Sequence, residues 1–234
     1  MTHTKMNYAV LDLETTGLSP IHDEPVQMSF IIVNSEGKQV EAHNYYVATK
    51  VLIHPKAFAV HGITAEVLKE FGVLPPVAAS IYHKAIWRHQ PCILLGYNLI
   101  NFDLPMLMNF LKRYMPGPFP FPPITQIKDV MFLFRDYKRT TKWAKLADAA
   151  KEFNISFEKS DLHNAMEDVR LTWEVYKKLE ELRQTNEYPI WTGNYFDGPA
   201  PFPYTSWYEW LTASQEQGIY KNLYIRAKKE EDLK

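Results

Sequence analysis

The sequence predicts an α/β protein built on a mixed sheet, and two patterns carry that prediction. Strand-like runs follow one another at the start of the chain, over residues 8–14, 26–34 and 39–48. Beyond them helical and strand-like segments alternate as far as residue 183, an order that gives a sheet with helices packed on it. A chain of 234 residues, 46% hydrophobic and 23% charged, is long enough to bury a core without a disulfide or a structural metal.

Each element has a local reason. Residues 8–14, Tyr-Ala-Val-Leu-Asp-Leu-Glu, form a buried strand with its acids at the C-terminal end. Thr15-Thr16-Gly17-Leu18-Ser19-Pro20 breaks it with a glycine and a proline. The run over 26–34 meets the turn Ser35-Glu36-Gly37-Lys38 and returns through 39–48 as a hairpin. Residues 65–71 and 77–89 have helical spacing, and 92–97 is a short apolar strand. Residues 102–114 form an apolar helix that Met115-Pro116-Gly117-Pro118 ends. A strand over 124–130 and helices over 131–138 and 142–153 follow. The helix over 164–183 is strongly amphipathic, with Ala165, Val169, Trp173 and Tyr176 on one face. There is no repeat of solenoid period.

The composition changes at the end of that helix, which divides the chain into a domain over 1–184 and an extension over 185–234. The extension is rich in proline, tryptophan and tyrosine, too aromatic for a disordered tail. Its expected role is packing on the core or on a partner subunit, including a second copy of the chain. Stacking on bases is the alternative, and the charged end over 226–234 is expected to fray.

Charge and cysteine content narrow the function classes. A net charge of −1, from 26 basic and 27 acidic residues, excludes a protein that holds nucleic acid by bulk phosphate attraction. Any such role must rest on a local site. A single cysteine, Cys92, excludes an intrachain disulfide and fits a reducing compartment, so the expected location is cytoplasmic. Neither a secretory leader pattern nor an apolar run of membrane-spanning length is present, so no membrane partner is expected.

Three acidic sites stand out. Asp12 and Glu14 lie two apart on a strand, and a period of two puts both on one face. Adjacent carboxylates repel, so one takes up a proton unless a cation neutralises them. Oxygen-rich sites of this kind suit Mg²⁺ or Mn²⁺; the plainer reading is a solvated pair. Asp103 closes Gly96-Tyr-Asn-Leu-Ile-Asn-Phe-Asp and opens a helix, which by itself describes an N-cap. His163-Asn-Ala-Met-Glu-Asp168 opens the late helix, with Asn164 and Glu167 spaced as a capping pair.

Taken in order, Asp-x-Glu-Thr-Thr-Gly ending the first strand, Asn-x-x-Asn-Phe-Asp opening a middle helix and His-x-Ala-x-x-Asp opening a late helix resemble the DEDDh exonucleases. This is the DnaQ-like group that includes the proofreading subunit of bacterial replicative polymerase. Val60-His61-Gly62-Ile63-Thr64 is similar to the family's loop between third strand and first helix, and Asp129 to an acid that precedes its next helix. The resemblance covers residues 6–183, about three quarters of the chain.

The resemblance implies a ribonuclease H-like fold, a five-stranded mixed sheet with helices on both sides. It implies removal of nucleoside 5′-monophosphates from a 3′ end with two divalent ions, Mg²⁺ with Mn²⁺ as a substitute. Two such ions about 4 Å apart can activate water and stabilise the leaving oxygen of an in-line displacement. By resemblance, Asp12, Glu14 and Asp168 hold the first ion, Asp12 bridges to the second, and Asp103 helps hold that one. His163 is the general base, a task that a near-neutral imidazole suits. Thr15 and Thr16 offer groups to the 3′-hydroxyl, and Leu18 packs against the last base. His61, Asn98 and Phe102 wall the scissile end, although Leu18 and Phe102 could instead be core and His61 could be fixing its own loop.

The expected substrate is a single-stranded or frayed 3′ end, DNA in preference to RNA. A separate polymerase is an expected partner. An RNA-trimming enzyme and a silent binding module recruited to a polymerase are the alternatives. The cluster Arg135, Lys138, Arg139, Lys142 and Lys145 reads as a solvated helix face or as a track for the strand. Trp143 within it has the spacing of the helix's apolar side, and core packing is expected for it.

Overall fold

The computed structural model describes residues 6–115, 127–140, 142–158 and 164–185. The expected α/β architecture is present: five strands in the order β3-β2-β1-β4-β5. The strands are β1 (Asn7–Thr15), β2 (Pro25–Val33), β3 (Gln39–Tyr46), β4 (Cys92–Gly96) and β5 (Ile127–Asp129). β1 pairs antiparallel with β2 and parallel with β4, and β5 joins β4 in parallel. All three parallel strands therefore end at one edge of the sheet. β2 is buried along its whole length, as a strand covered on both faces must be; its two polar side chains, Gln27 and Ser29, both donate to Asn44 of β3. β3 closes one side with exposed residues.

Helices cover the two faces. α7 (Ala165–Gln184) lies on one with α5 (Val130–Lys138) and α6 (Leu146–Glu152). Val10, Ile31, Val33 and Leu95 pack there in one cluster with Val169, Trp173 and Tyr176 of the stripe read from the sequence, and with Leu179. α3 (Pro75–Arg88) and α4 (Asp103–Tyr114) pack against each other, and α4 also contacts β1 and β2. Phe30 of β2 meets Tyr82 of α3 edge-on, with ring centroids 5.3 Å apart. α2 (Ala65–Phe71) sits by β3.

Several boundaries depart from expectation. α1 (Pro55–His61) has no sequence signature because none of its residues is buried; without a buried stripe there is no periodicity to read. α6 starts at Leu146, so Trp143 precedes the helix instead of facing its core side. Trp143 is 44% exposed, which corrects its assignment to the core. The strand read over 124–130 is described only as Ile127–Asp129. The extension over 185–234 lies outside the described residues after Thr185, as does His163.

Candidate active site

β1 runs from the core to the edge, and its face changes character on the way. Val10 is packed under α7, and two and four residues later the same face carries Asp12 and Glu14. α7 starts at that edge, and its first turn supplies Asp168. One carboxylate oxygen from each of Asp12, Glu14 and Asp168 lies within 4.8 Å of the others. A bulge follows at Glu14/Thr15, which ends the pairing where the acids are presented.

Asp103 reaches the same place from the other side of the sheet. The N-cap of α4 is Phe102, so Asp103 is the helix's first residue and not its cap, contrary to the plainer reading. Its Oδ1 accepts the backbone N–H of Leu13 at 3.1 Å, between the two acids of β1. Only 3% of Asp103 is exposed.

The charges act on one another in a poorly hydrated place. Burial, followed by the charges of Asp103, Asp168 and Glu14, holds Asp12 well above the usual carboxylate range. Burial and Asp168 push Glu14 up to about 8. Burial raises Asp103 too, against the pull of the Leu13 N–H. Every influence on Asp12 and Glu14 acts upward, so this is not the solvated pair of the plainer reading. All-oxygen donors with mutual repulsion fit a hard divalent cation.

The surroundings are tied by hydrogen bonds. Asp129, 3% exposed, caps α5 and accepts the backbone N–H groups of Asn98, Ile100 and Met131, each at 3.0 Å. That carboxylate shapes the turn in which Asn98 sits at φ 59°, a conformation asparagine tolerates. Asn98 Oδ1 accepts from Asn101. Phe102 is half-buried. Asn164 caps α7 by accepting the Met166 N–H at 3.1 Å. Glu167 does not complete the expected capping pair; it is bound by Arg170.

The loop after β1 is tied down from within. The Thr15 hydroxyl donates to the Gly17 carbonyl, and the Thr16 hydroxyl donates to Asp23 and accepts the Glu24 N–H. Both threonines are buried, so their side chains shape the loop. Gly17 has no room for a side chain, since a Cβ would stand 2.5 Å from Asp23 Oδ2. Leu18 is 78% exposed, which excludes the core reading. His61 fixes its own loop: Nδ1 accepts the Ile63 N–H at 2.9 Å and Nε2 meets the Thr15 carbonyl at 3.2 Å. Partial burial lowers its pKa, and the Thr15 carbonyl opposes that.

The pairing of the buried Glu24 with the exposed Arg113 has no motif in the sequence. The Glu24 carboxylate is 2% exposed and is held by Arg113, Tyr114 and Thr49. An acid before the second strand was its only trace, and partners 89 residues apart cannot be matched by spacing.

Four carboxylates gather at the strand-end edge of this sheet, on a ribonuclease H-like fold, and three of them, Asp12, Glu14 and Asp168, are placed so that they could hold a metal ion. The model of the RNase T-type exonuclease family matches residues 9–176, and the chain belongs to that family. Over 180 residues, 75% of this chain, it is 28% identical to the 3′-5′ exonuclease DinG of Staphylococcus epidermidis and 27% to that of Staphylococcus aureus. It spans less than a fifth of the length of those relatives, 18% and 19%. Its fold is similar to that of Escherichia coli exonuclease I solved with a dT13 oligonucleotide. The TM-score is 0.65 at 23% identity, over 78% of this chain and 43% of that one. No helix of the described residues is long and apolar enough to cross a membrane.

Proposed function

We propose that this chain is a divalent-metal-dependent 3′–5′ exonuclease that releases nucleoside 5′-monophosphates from single-stranded or frayed ends, with DNA favoured over RNA. The observation that carries the reading is the convergence of Asp12, Glu14 and Asp168 within 4.8 Å. The DnaQ-like relatives named as 3′-5′ exonucleases and the exonuclease I complexes with dT13 and dA16 oligonucleotides support it.

Asp12, Glu14 and Asp168 would hold one ion, and Asp12 with Asp103 a second. Bound divalent ions would activate the attacking water and stabilise the departing 3′-oxygen. His163, one residue before the cap of α7, is assigned to take the proton from that water, the DEDDh role for an imidazole. Leu18 receives the terminal base, while Thr15 and Thr16 set the shape of the loop that presents it. His61, Asn98 and Phe102 form the wall around the scissile end. The domain is assigned to 1–184, and the aromatic extension over 185–234 to packing on that domain or on a partner subunit.

The test is a time course on 5′-labelled DNA and RNA of one sequence, with Mg²⁺, with Mn²⁺ and with chelator. A ladder shortening from the 3′ end only with metal supports the reading, and the two substrates rank the sugars. Strand binding without products in either metal would replace it with a recruited binding module.

A further inference from the structure

We propose that Trp143, backed by Arg135 and Phe132, is a stacking platform for a base of the substrate strand on the 5′ side of the cleaved bond; this rests on the exonuclease reading above.

The fold fixes where Trp143 lies. β4 ends at Gly96 and β5 at Asp129, at the edge where β1 delivers Asp12 and Glu14. α5 starts there, with its cap Asp129 bound to the backbone of Asn98 and Ile100. The chain descends through α5 and then returns. The Tyr97 hydroxyl donates to the Ala144 carbonyl at 2.8 Å. Through its neighbour Ala144, Trp143 is thus tied to the turn that leads from β4 to Asp103.

Its setting is that of a held, half-open ring. The Arg135 guanidinium carbon lies 4.0 Å from the indole centroid and 5.8 Å from that of Phe132. The two rings are 5.6 Å apart and inclined at 60°. Arg135 is only 7% exposed, whereas Trp143 is 44% exposed. The cation therefore backs one face of the indole and holds it, a favourable contact when desolvated. Nearly half of the residue still faces water, which is costly for so large an apolar surface.

Charge selects the occupant. Lys142 and Lys145 flank the indole and Arg139 precedes it, all three exposed. No ion pair with an acid involves them among the described residues, whereas Lys138 is engaged by Glu152 at 2.7 Å. An exposed aromatic ring among cations matches the two components of a single strand, base faces and phosphates. A chain of net charge −1 with four acids at its centre needs such a local positive track.

The experiment uses the full chain and oligothymidylates of about 15 and about 3 nucleotides, spanning the usual range of single-strand sites. Trp143→Ala is expected to raise KM on the long strand about tenfold, the loss of one stacked base, with a much smaller rise on the short one. Trp143→Phe should recover most of the loss. Trp87→Ala is the control, since Trp87 is 64% exposed but lies just before the start of β4, at the opposite edge. Equal effects on both lengths, or none, overturn the platform. So does a change of sedimentation with KM intact, which would give the face to a second copy of the chain. Anisotropy binding of the same strands in chelator reads the platform without turnover. A wild-type chain that binds and never cuts overturns the exonuclease reading alone, while equal affinity of wild type and Trp143→Ala overturns the platform alone.

Discussion

Removing one negative charge from the acidic centre should stabilise the metal-free protein, and by an amount that depends on pH. The perturbation is Glu14→Gln, which keeps the shape of the side chain. In the fold, burial and the charge of Asp168 push Glu14 from an ordinary value of 4.5 up to about 8. A carboxyl with a raised pKa binds its proton more tightly when folded. Its favourable effect is complete below about pH 4.5 and is lost as pH climbs through about 8. At about 1.4 kcal/mol per pH unit, ionising Glu14 in the metal-free fold costs at most about 5 kcal/mol relative to the unfolded chain. Glu14 is half-buried, and water screening and local relaxation reduce that ceiling. A gain of about 2 kcal/mol for Glu14→Gln near pH 8.5 is the working figure, which corresponds to about 4–8 °C in Tm for a domain of this size. Near pH 5 the gain should fall below about 1 kcal/mol, because the native carboxyl is already protonated there.

The assay is a set of thermal melts followed by far-ultraviolet circular dichroism, in chelator and then in Mg²⁺ or Mn²⁺. Bound cation compensates the repulsion, so metal should raise the Tm of the wild type at pH 8.5 more than that of Glu14→Gln. A variant less stable than the wild type in chelator at pH 8.5 would falsify the account of Glu14 as a repelled carboxylate awaiting a cation.

Other consequences are accessible to simpler measurements. Asp12→Asn should lower kcat about a thousandfold or more, equivalent to about 4 kcal/mol of barrier, with an unaltered circular dichroism spectrum; turnover within tenfold of the wild type would remove Asp12 from the metal-holding set. Leu18→Ala should leave Tm within about 2 °C, since an exposed side chain contributes little to folding, and raise KM several-fold on a single strand. A large loss of Tm would mean that Leu18 packs against the core after all. Arg113→Ala should cost about 2–3 kcal/mol in urea unfolding, because it removes a cation from a buried carboxylate. A change below about 0.5 kcal/mol would show that Tyr114 and Thr49 suffice to hold Glu24.

The legible parts of the fold were those whose signal is local. The apolar run read over 26–34 as the first arm of a hairpin is β2, paired antiparallel with β3. The stripe of Ala165, Val169, Trp173 and Tyr176 is the buried face of α7. Asp12 and Glu14 share a face for the same reason, since a strand repeats every two residues. Asp103 and Asp168 were located by order along the chain, which places them at helix starts, although the cap of α4 proved to be Phe102. What escaped had no local signal. α1 buries none of its residues fully and has no stripe. Trp143 sits in a segment held by a hydroxyl of Tyr97, 47 residues earlier, and its spacing was read against a helix that begins later.

The least legible feature bears most on how the site keeps its shape. α4 is a brace with a functional group at each end. Its first residue, Asp103, accepts the Leu13 N–H between the two acids of β1. Its last turn, through Arg113 and Tyr114, grips the carboxylate of Glu24. The backbone of Glu24 in turn makes two hydrogen bonds with Thr16, through N–H to the hydroxyl and through its carbonyl to the Thr16 N–H at 2.8 Å. Thr16 also accepts the His54 N–H at 2.7 Å on its carbonyl, and His61 meets Thr15. The acidic centre and the loop bearing Leu18 are therefore fastened to one helix. Neither can shift without disturbing buried bonds at the other, because an unpaired buried polar group costs about 1–3 kcal/mol. For a reaction that depends on alignment this is an economical arrangement, since misplacement of about 1 Å can cost on the order of a hundredfold in rate. The same geometry fixes the loop itself: the hydroxyls of Thr15 and Thr16 are engaged within it, while the side chain of Leu18 stands exposed.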